Sequence, residues 1–406
     1  MNRARNVAIG SIVMTAVSIG SYMSLPVFLM PISEMTGASI GQVTLLFSFA
    51  AIASLLTSLL FGQILKVVRL KLLASLAGLA FALFFVGISL STSIVVIYAA
   101  AVFFGFATVA GGYAASQTSI VWWYPKGTAR IISFITVGVG IVAFILSPAL
   151  ASAIETFGVG PTALVEGLVG GAVMIFCALF LLAEHPNTYG VSVEQDAPDS
   201  LENDPEAAPE IVGLAMKDIL KTPQFWLIFV ACVIAVIAMT GFTNNASIFY
   251  QSIGLTPLQA AMGISVFSIA TLVWAPLYGI LVDKKGPAFG TLICGAISAA
   301  IMFAATVLTG MPGAMIIAAV AAAMCLCNML GPVTLPRVFG TREAGSLVGL
   351  ATAAGSIGAM LGAPIAGFIL DSTGSYNPFL ITAGILMILC VLFVFLGARK
   401  TITAQQ

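Results

Sequence analysis

Three features predict an all-α membrane protein of twelve transmembrane helices in two pseudo-symmetric six-helix bundles: the composition, the one-sided placement of the basic residues and an internal repeat. Of 406 residues, 60% are hydrophobic and 7% charged, whereas soluble domains carry about a quarter charged residues. So few polar side chains cannot coat two or three soluble domains, so lipid is the solvent. Apolar windows long enough to span a bilayer fall near 6–31, 40–65, 72–90, 94–121, 130–154 and 160–183, then near 223–250, 257–282, 288–309, 312–335, 344–370 and 376–398.

Charge tests the count, because Lys and Arg are retained on the cytoplasmic side during insertion. Arg3 and Arg5 precede span one. Lys66, Arg69 and Lys71 follow span two, Lys126 and Arg130 span four, and Lys217 and Lys221 span six. Lys284 and Lys285 follow span eight, Arg337 and Arg342 span ten, and Arg399 and Lys400 span twelve. No basic residue falls in an odd-numbered connection, and one missed or invented span would break that parity. The sequence therefore predicts a multi-pass protein of the cytoplasmic (inner) membrane with both termini cytoplasmic. The N-terminal run behind Arg3 and Arg5 reads as the first span rather than a cleaved signal peptide, since no small-residue cleavage site with a polar mature start follows it.

Residues 1–183 and 222–406 form the two predicted bundles. Between them, 184–221 carries Glu194, Asp196, Asp199, Glu202, Asp204, Glu206 and Glu210 among prolines. That composition cannot bury a core and predicts a flexible cytoplasmic linker. The halves resemble each other at an offset near 216: Pro148 falls on Pro364, Thr136 on Thr352, Glu155 on Asp371 and Gly158 on Gly374, with Gly62 one residue from Gly279. Duplicated bundles of this kind enclose a central path in repeat-built transporters. The six cysteines all lie in apolar runs and read as packing thiols; with no His cluster near Cys325 and Cys327, neither a metal nor a cofactor is expected.

On these motifs the chain resembles the major facilitator superfamily. Gly279-Ile-Leu-Val-Asp283-Lys284-Lys285-Gly286 is similar to the family's Gly-x-Leu-x-Asp-Arg-x-Gly loop, which implies a conformational latch at Gly279, Asp283, Lys284 and Gly286. The counterpart after span two keeps Gly62 but has Lys66 where the family has Asp. Within the superfamily, Lys221-Thr-Pro-Gln-Phe-Trp226 and Gly362-Ala-Pro364 through Tyr376 resemble the oxalate/formate antiporter and monocarboxylate transporter branch. Oxalate-transporting relatives carry a cation two turns before the span-eight Asp and a Lys in a Thr-Ala-Lys-Gly run of span eleven. Here those positions hold Ala275 and Ala354. A buried dianion without a cation pays a desolvation penalty of several kcal/mol, so the expectation shifts from dicarboxylates to a monocarboxylate-type anion, or to a neutral or amphipathic solute.

Candidate site residues follow from burial cost. Glu166, about six residues into span six, is an intramembrane carboxyl and a candidate for coupling, although a snorkelling or protonated carboxyl near the interface is the plainer alternative. Glu34, Glu155 and Asp371 read as solvated caps at span ends. The resemblance names the cavity-lining spans, and on them uncharged polar groups make up the substrate-binding candidates: Tyr22, Tyr113, Gln117, Asn244, Asn245, Trp274, Asn328, Thr352 and Ser356. Tyr113 and Gln117 share a helix face. Glycines and prolines of spans five and eleven allow close approach and bending. The expected function is transport by alternating access, with a small-molecule substrate, a proton or counter-solute, and the lipid bilayer as partners; no nucleic acid is expected, and the chain reads as a monomer. An enzyme is disfavoured, since the single histidine, His185, lies outside the spans and no nucleophile or metal motif appears. A receptor or scaffold is the third class.

Overall fold

The computed structural model describes residues 2–124, 128–186, 214–340 and 343–398. Most of the acidic linker, along with Lys126, Arg342, Arg399 and Lys400, lies outside them. Twelve helices are long and apolar enough to cross a membrane: Arg3–Thr36, Ile40–Val67, Leu70–Leu90, Ile94–Trp123, Phe134–Phe157, Val159–Leu181, Pro223–Thr243, Pro257–Lys285, Pro287–Ala304, Gly310–Phe339, Ser346–Thr373 and Asn377–Gly397. They are called spans one to twelve below. Each coincides with a predicted window to within a few residues, apart from span seven, which ends at Thr243 instead of running on to 250. The cause is local: the buried amide of Asn245 donates to the Gly241 carbonyl, satisfying it from a side chain, and the helix restarts only at Ala246–Ser252.

The duplication reappears in the irregularities. Span one passes through a 3-10 turn at Leu25–Phe28, with Pro26 in its first residues; adding 216 gives 241–244, where span seven breaks. Span four contains a π-helical stretch at Val109–Tyr113, and span ten a 3-10 turn at Ala322–Cys325. Spans two and eight both begin with reciprocal capping boxes, Ser39 with Gln42 and Thr256 with Gln259. Spans five and eleven end against glycines of positive φ, Gly158 and Gly374, a conformation closed to most side chains.

Contacts group the chain into two units, Met1–Asp199 with Thr256–Ile269, and Ser200–Leu255 with Ala270–Gln406. In the first, span one packs on span five, two on four and three on six; in the second, seven packs on eleven and nine on twelve. With lipid outside, helix association depends on close packing more than on hydrophobic gain. Small residues supply that packing. A Cβ on Gly171 would fall 2.8 Å from the Gly78 carbonyl of span three, and one on Gly358 would fall 2.7 Å from the Val233 carbonyl of span seven. The start of span eight joins the first unit through Ser265, whose hydroxyl donates to the Phe144 carbonyl at 2.7 Å.

Candidate functional site

In the first unit the bend in span four shapes the polar face. Gly112 leaves helical geometry at φ −102°, ψ −119°, which disrupts the backbone ladder, and span one supplies hydroxyls at that level. Thr15 Oγ1 donates to Ser116 Oγ at 2.7 Å with the Gly112 carbonyl 3.3 Å away, and Ser116 donates to the Ser11 carbonyl at 3.1 Å. Span four therefore turns Ser116 and Ser119 into the seam with span one, where both are fully buried. A different face of span four carries Tyr113 and Gln117, both exposed. Tyr22 is not beside them. It lies half-buried nearer the far end of the unit, with its ring 5.8 Å from that of Phe47 and 6.1 Å from that of Phe104.

The second unit sorts the expected residues differently. Asn245, 1% exposed, spends its whole amide internally: Nδ2 donates to the Gly241 and Ala363 carbonyls at 3.0 and 3.1 Å, and Oδ1 accepts from Tyr376 at 3.1 Å. Burial, and then the Asp371 carboxylate, push the Tyr376 hydroxyl up from its ordinary value, so it remains a donor. Asn245 thus ties the broken end of span seven to span eleven, with its amide engaged inside the protein. Asn244 is buried beside it at 4% exposure. Trp274 likewise spends its indole N–H on the Ala319 carbonyl of span ten at 2.8 Å.

Three of the expected polar residues stay accessible in this unit. Asn328, exposed just below the 3-10 turn of span ten, reaches the Met239 sulfur of span seven at 3.8 Å. Thr352 and Ser356 donate to the carbonyls one turn back in span eleven, at 2.9 and 3.0 Å, which leaves their lone pairs free to accept. Span ten meets span eleven at this level, since a Cβ on Gly331 would fall 2.6 Å from that of Ala351. Trp274 bonds above the 3-10 turn of span ten and Asn328 stands below it.

Ionic groups keep to the ends. Every described Lys or Arg lies outside the spans or within two residues of a span end. Of the residues expected to form the latch, Asp283 pairs within the second unit, with a cation that the motif does not name: its Oδ1 accepts from Arg337 Nη2 at 2.6 Å, and Arg337 Nη1 donates to the Val282 carbonyl at 3.0 Å. Lys284 is exposed in the last turn of span eight. Gly286 has φ +85° at the start of span nine, while a Cβ on Gly279 would meet nothing.

Sequence reasoning passed over Thr15 and Ser116, although hydroxyls at 11, 15 and 18 along one face of span one were their signal. It also passed over Glu184, whose carboxylate accepts from the Leu70 and Lys71 backbone N–H groups at 3.3 and 3.2 Å.

A family model described as Major Facilitator Superfamily matches residues 10–265 and 235–405. The oxalate:formate antiporter of Oxalobacter formigenes is 23% identical over 264 residues, covering 64% of this chain and 60% of that protein. An uncharacterized MFS-type transporter of Escherichia coli (strain K12), YhjX, is 23% identical over 278 residues, covering 68% and 65%. The matches therefore span less than two thirds of either relative. Among solved structures, a bacterial homolog of the human lysosomal transporter Spinster superposes with a TM-score of 0.68 at 15% identity, covering 98% of this chain and 96% of that one. Sequence and fold agree: this chain belongs to the Major Facilitator Superfamily.

Proposed function

We propose that the chain carries a small monocarboxylate-type organic anion across the cytoplasmic membrane by alternating access, in exchange for a counter-solute or with a proton, as a monomer with both termini cytoplasmic. The observation behind the cargo is the chemistry of the accessible polar faces. Tyr113, Gln117, Asn328, Thr352 and Ser356 offer hydroxyl, phenol and amide groups, with no Lys or Arg among the described residues of the span interiors. Such groups hold a single negative charge through a few directed hydrogen bonds. A second charge needs a cation to offset its desolvation, and Ala275 and Ala354 supply none. Similarity to an oxalate:formate antiporter supports a carboxylate cargo and exchange. The one-sided basic residues support the orientation.

A neutral or amphipathic solute is the second reading, favoured by the aromatic surroundings of Tyr22. Proteoliposomes loaded with formate, lactate, benzoate, benzamide or oxalate separate the two. At least one monocarboxylate should show saturable counterflow and oxalate none. Saturable oxalate exchange overturns the single-charge reading, benzamide competing as well as benzoate favours a neutral cargo, and no movement or binding of a broad panel removes the proposed cargo class.

A further inference from the structure

Among the described residues the carboxylates of the spans divide sharply by depth. Glu34, Glu155, Asp283 and Asp371 each stand two residues from the end of their span and are exposed. Glu166 stands seven residues inside span six, about 10 Å along the helix, and is only partly exposed. Its neighbours Val165, Leu168 and Val169 form the open apolar face of that span. Glu166 itself turns toward span one, where Oε1 accepts from Ser21 Oγ at 2.5 Å. Ser21 is 1% exposed.

Among the described residues no charged group shares this position. Span six packs on spans one, three and five. Span one carries Arg3 and Arg5 at its basic end and Glu34 at the other; span three carries Lys71, whose Nζ donates to the Leu179 carbonyl at the opposite end of span six. Span five carries Glu155 near its end. Tyr22, the other titratable side chain of span one near this level, packs its ring against Phe47 and Phe104. On the span-three side, Glu166 is followed by Gly167, fitted against Phe85 and Ala82. One hydroxyl does not offset the several kcal/mol needed to hold an unpaired carboxylate away from water.

The bond also sits at a mechanically significant place. Ser24, one turn beyond Ser21, shares a 2.9 Å hydroxyl contact with Ser147 of span five, and span one then leaves α geometry at Leu25–Phe28. The outer part of span one is therefore held to its neighbours by two side-chain ties, Ser21 to Glu166 and Ser24 to Ser147. Ser21 adjoins Tyr22 in the chain, and the two point to different faces of span one.

We propose that Glu166 is a proton-binding site of this carrier and that Ser21 reports its state to span one. The proton comes from water and binds the Oε2 oxygen that Ser21 does not hold, leaving a neutral carboxyl. Ser21 is then released from a charge-assisted bond, and its hydroxyl is free to turn back to the carbonyl one turn earlier in its own helix. The tie next to Tyr22 loosens while the tie at Ser147 remains. This rests on the carrier reading for its purpose but not for its test.

The test is pH-difference infrared spectroscopy of the purified full-length chain in proteoliposomes, with no solute added. A carboxylic C=O stretching band should appear on acidification, vanish in Glu166→Gln and persist in Glu155→Gln. In Ser21→Ala the band should appear at a higher pH, because the carboxylate loses its hydroxyl donor, and Ser21→Thr should restore the wild-type midpoint. A band that survives Glu166→Gln, or is absent from the wild type, overturns the proposal; a titration midpoint unmoved by Ser21→Ala overturns the relay. Because the band needs no cargo, it decides the proton site whether or not the monocarboxylate counterflow described above succeeds.

Discussion

The two bundles secure their basic ends by different means. In the C-terminal one, Asp283 at the end of span eight pairs with Arg337 at the end of span ten, and the pair is largely in the open: 71% of the Asp283 side chain and 43% of the Arg337 side chain are exposed. In the N-terminal one, Glu184, just past span six, reaches two backbone N–H groups that open span three. Its own carbonyl accepts from Trp123 Nε1 of span four at 3.1 Å. Lys71 donates back to the Leu179 carbonyl of span six at 3.1 Å. Three spans converge on one partly buried residue. The ion pair, of which the sequence motif marks only the carboxylate, is the physically weaker device, because solvent screens exposed pairs. The cap that no motif announces satisfies orphan N–H groups at a helix start, where a carboxylate also complements the helix dipole.

The largest effect is accordingly expected at Glu184. Glu184→Ala removes the acceptor for Leu70 and Lys71 and should cost about 1–2 kcal/mol. For a bundle of this size, that is a fall of about 3–6 °C in the thermal midpoint of the purified protein. Glu184→Gln keeps one acceptor oxygen and should lose about half as much. If Glu184→Ala matched the wild type, the cap would have no more weight than the exposed pair.

The contrast also marks what was legible in the sequence. Twelve spans could be read because the bilayer imposes length and apolarity on each segment separately. The breaks in spans one, four, seven and ten could not, because a hydropathy window averages over them; only Pro26, the Gly111-Gly112 pair and the Asn244-Asn245 pair hinted at three of the four. Polarity likewise selected Asn245 and Trp274 as binding residues, yet a buried amide or indole must find partners somewhere, and here Ala363, Gly241, Tyr376 and Ala319 provide them. Gln117 and Tyr113 were legible as one helix face. The hydroxyls of Thr15 and Ser116 behind them were not, since Ser and Thr within apolar helices bond locally as often as across a seam.

A smaller loss is expected at the C-terminal pair. Arg337→Gln removes the charge facing Asp283 and should cost about 0.5–1 kcal/mol. Ionic strength separates this effect from the first: raising salt to about 1 M shortens the screening length to about 3 Å. The gap between wild type and Arg337→Gln should then narrow, while the Glu184→Ala gap persists. Equal salt sensitivity at both sites would erase the distinction between an ion pair and a backbone cap.

The smallest effect belongs to the position where the N-terminal bundle departs from the family pattern. At the offset of 216 to 217 residues, Asp283 corresponds to Lys66 or Val67, and Arg337 to Val121 or Ile120, so both members of the pair are missing and not only the carboxylate. Lys66→Asp alone therefore gains no partner, and with Lys66 exposed on the surface it should change stability by less than about 0.5 kcal/mol. The double substitution Lys66→Asp with Val121→Arg rebuilds the C-terminal arrangement at a site where Val121 is already 54% exposed. A double-mutant cycle on thermal midpoints should then return a favourable coupling of about 0.2–1 kcal/mol. Zero coupling would mean that the ends of spans two and four do not approach as those of spans eight and ten do, and that the cap at Glu184 is what the N-terminal bundle has in place of a latch.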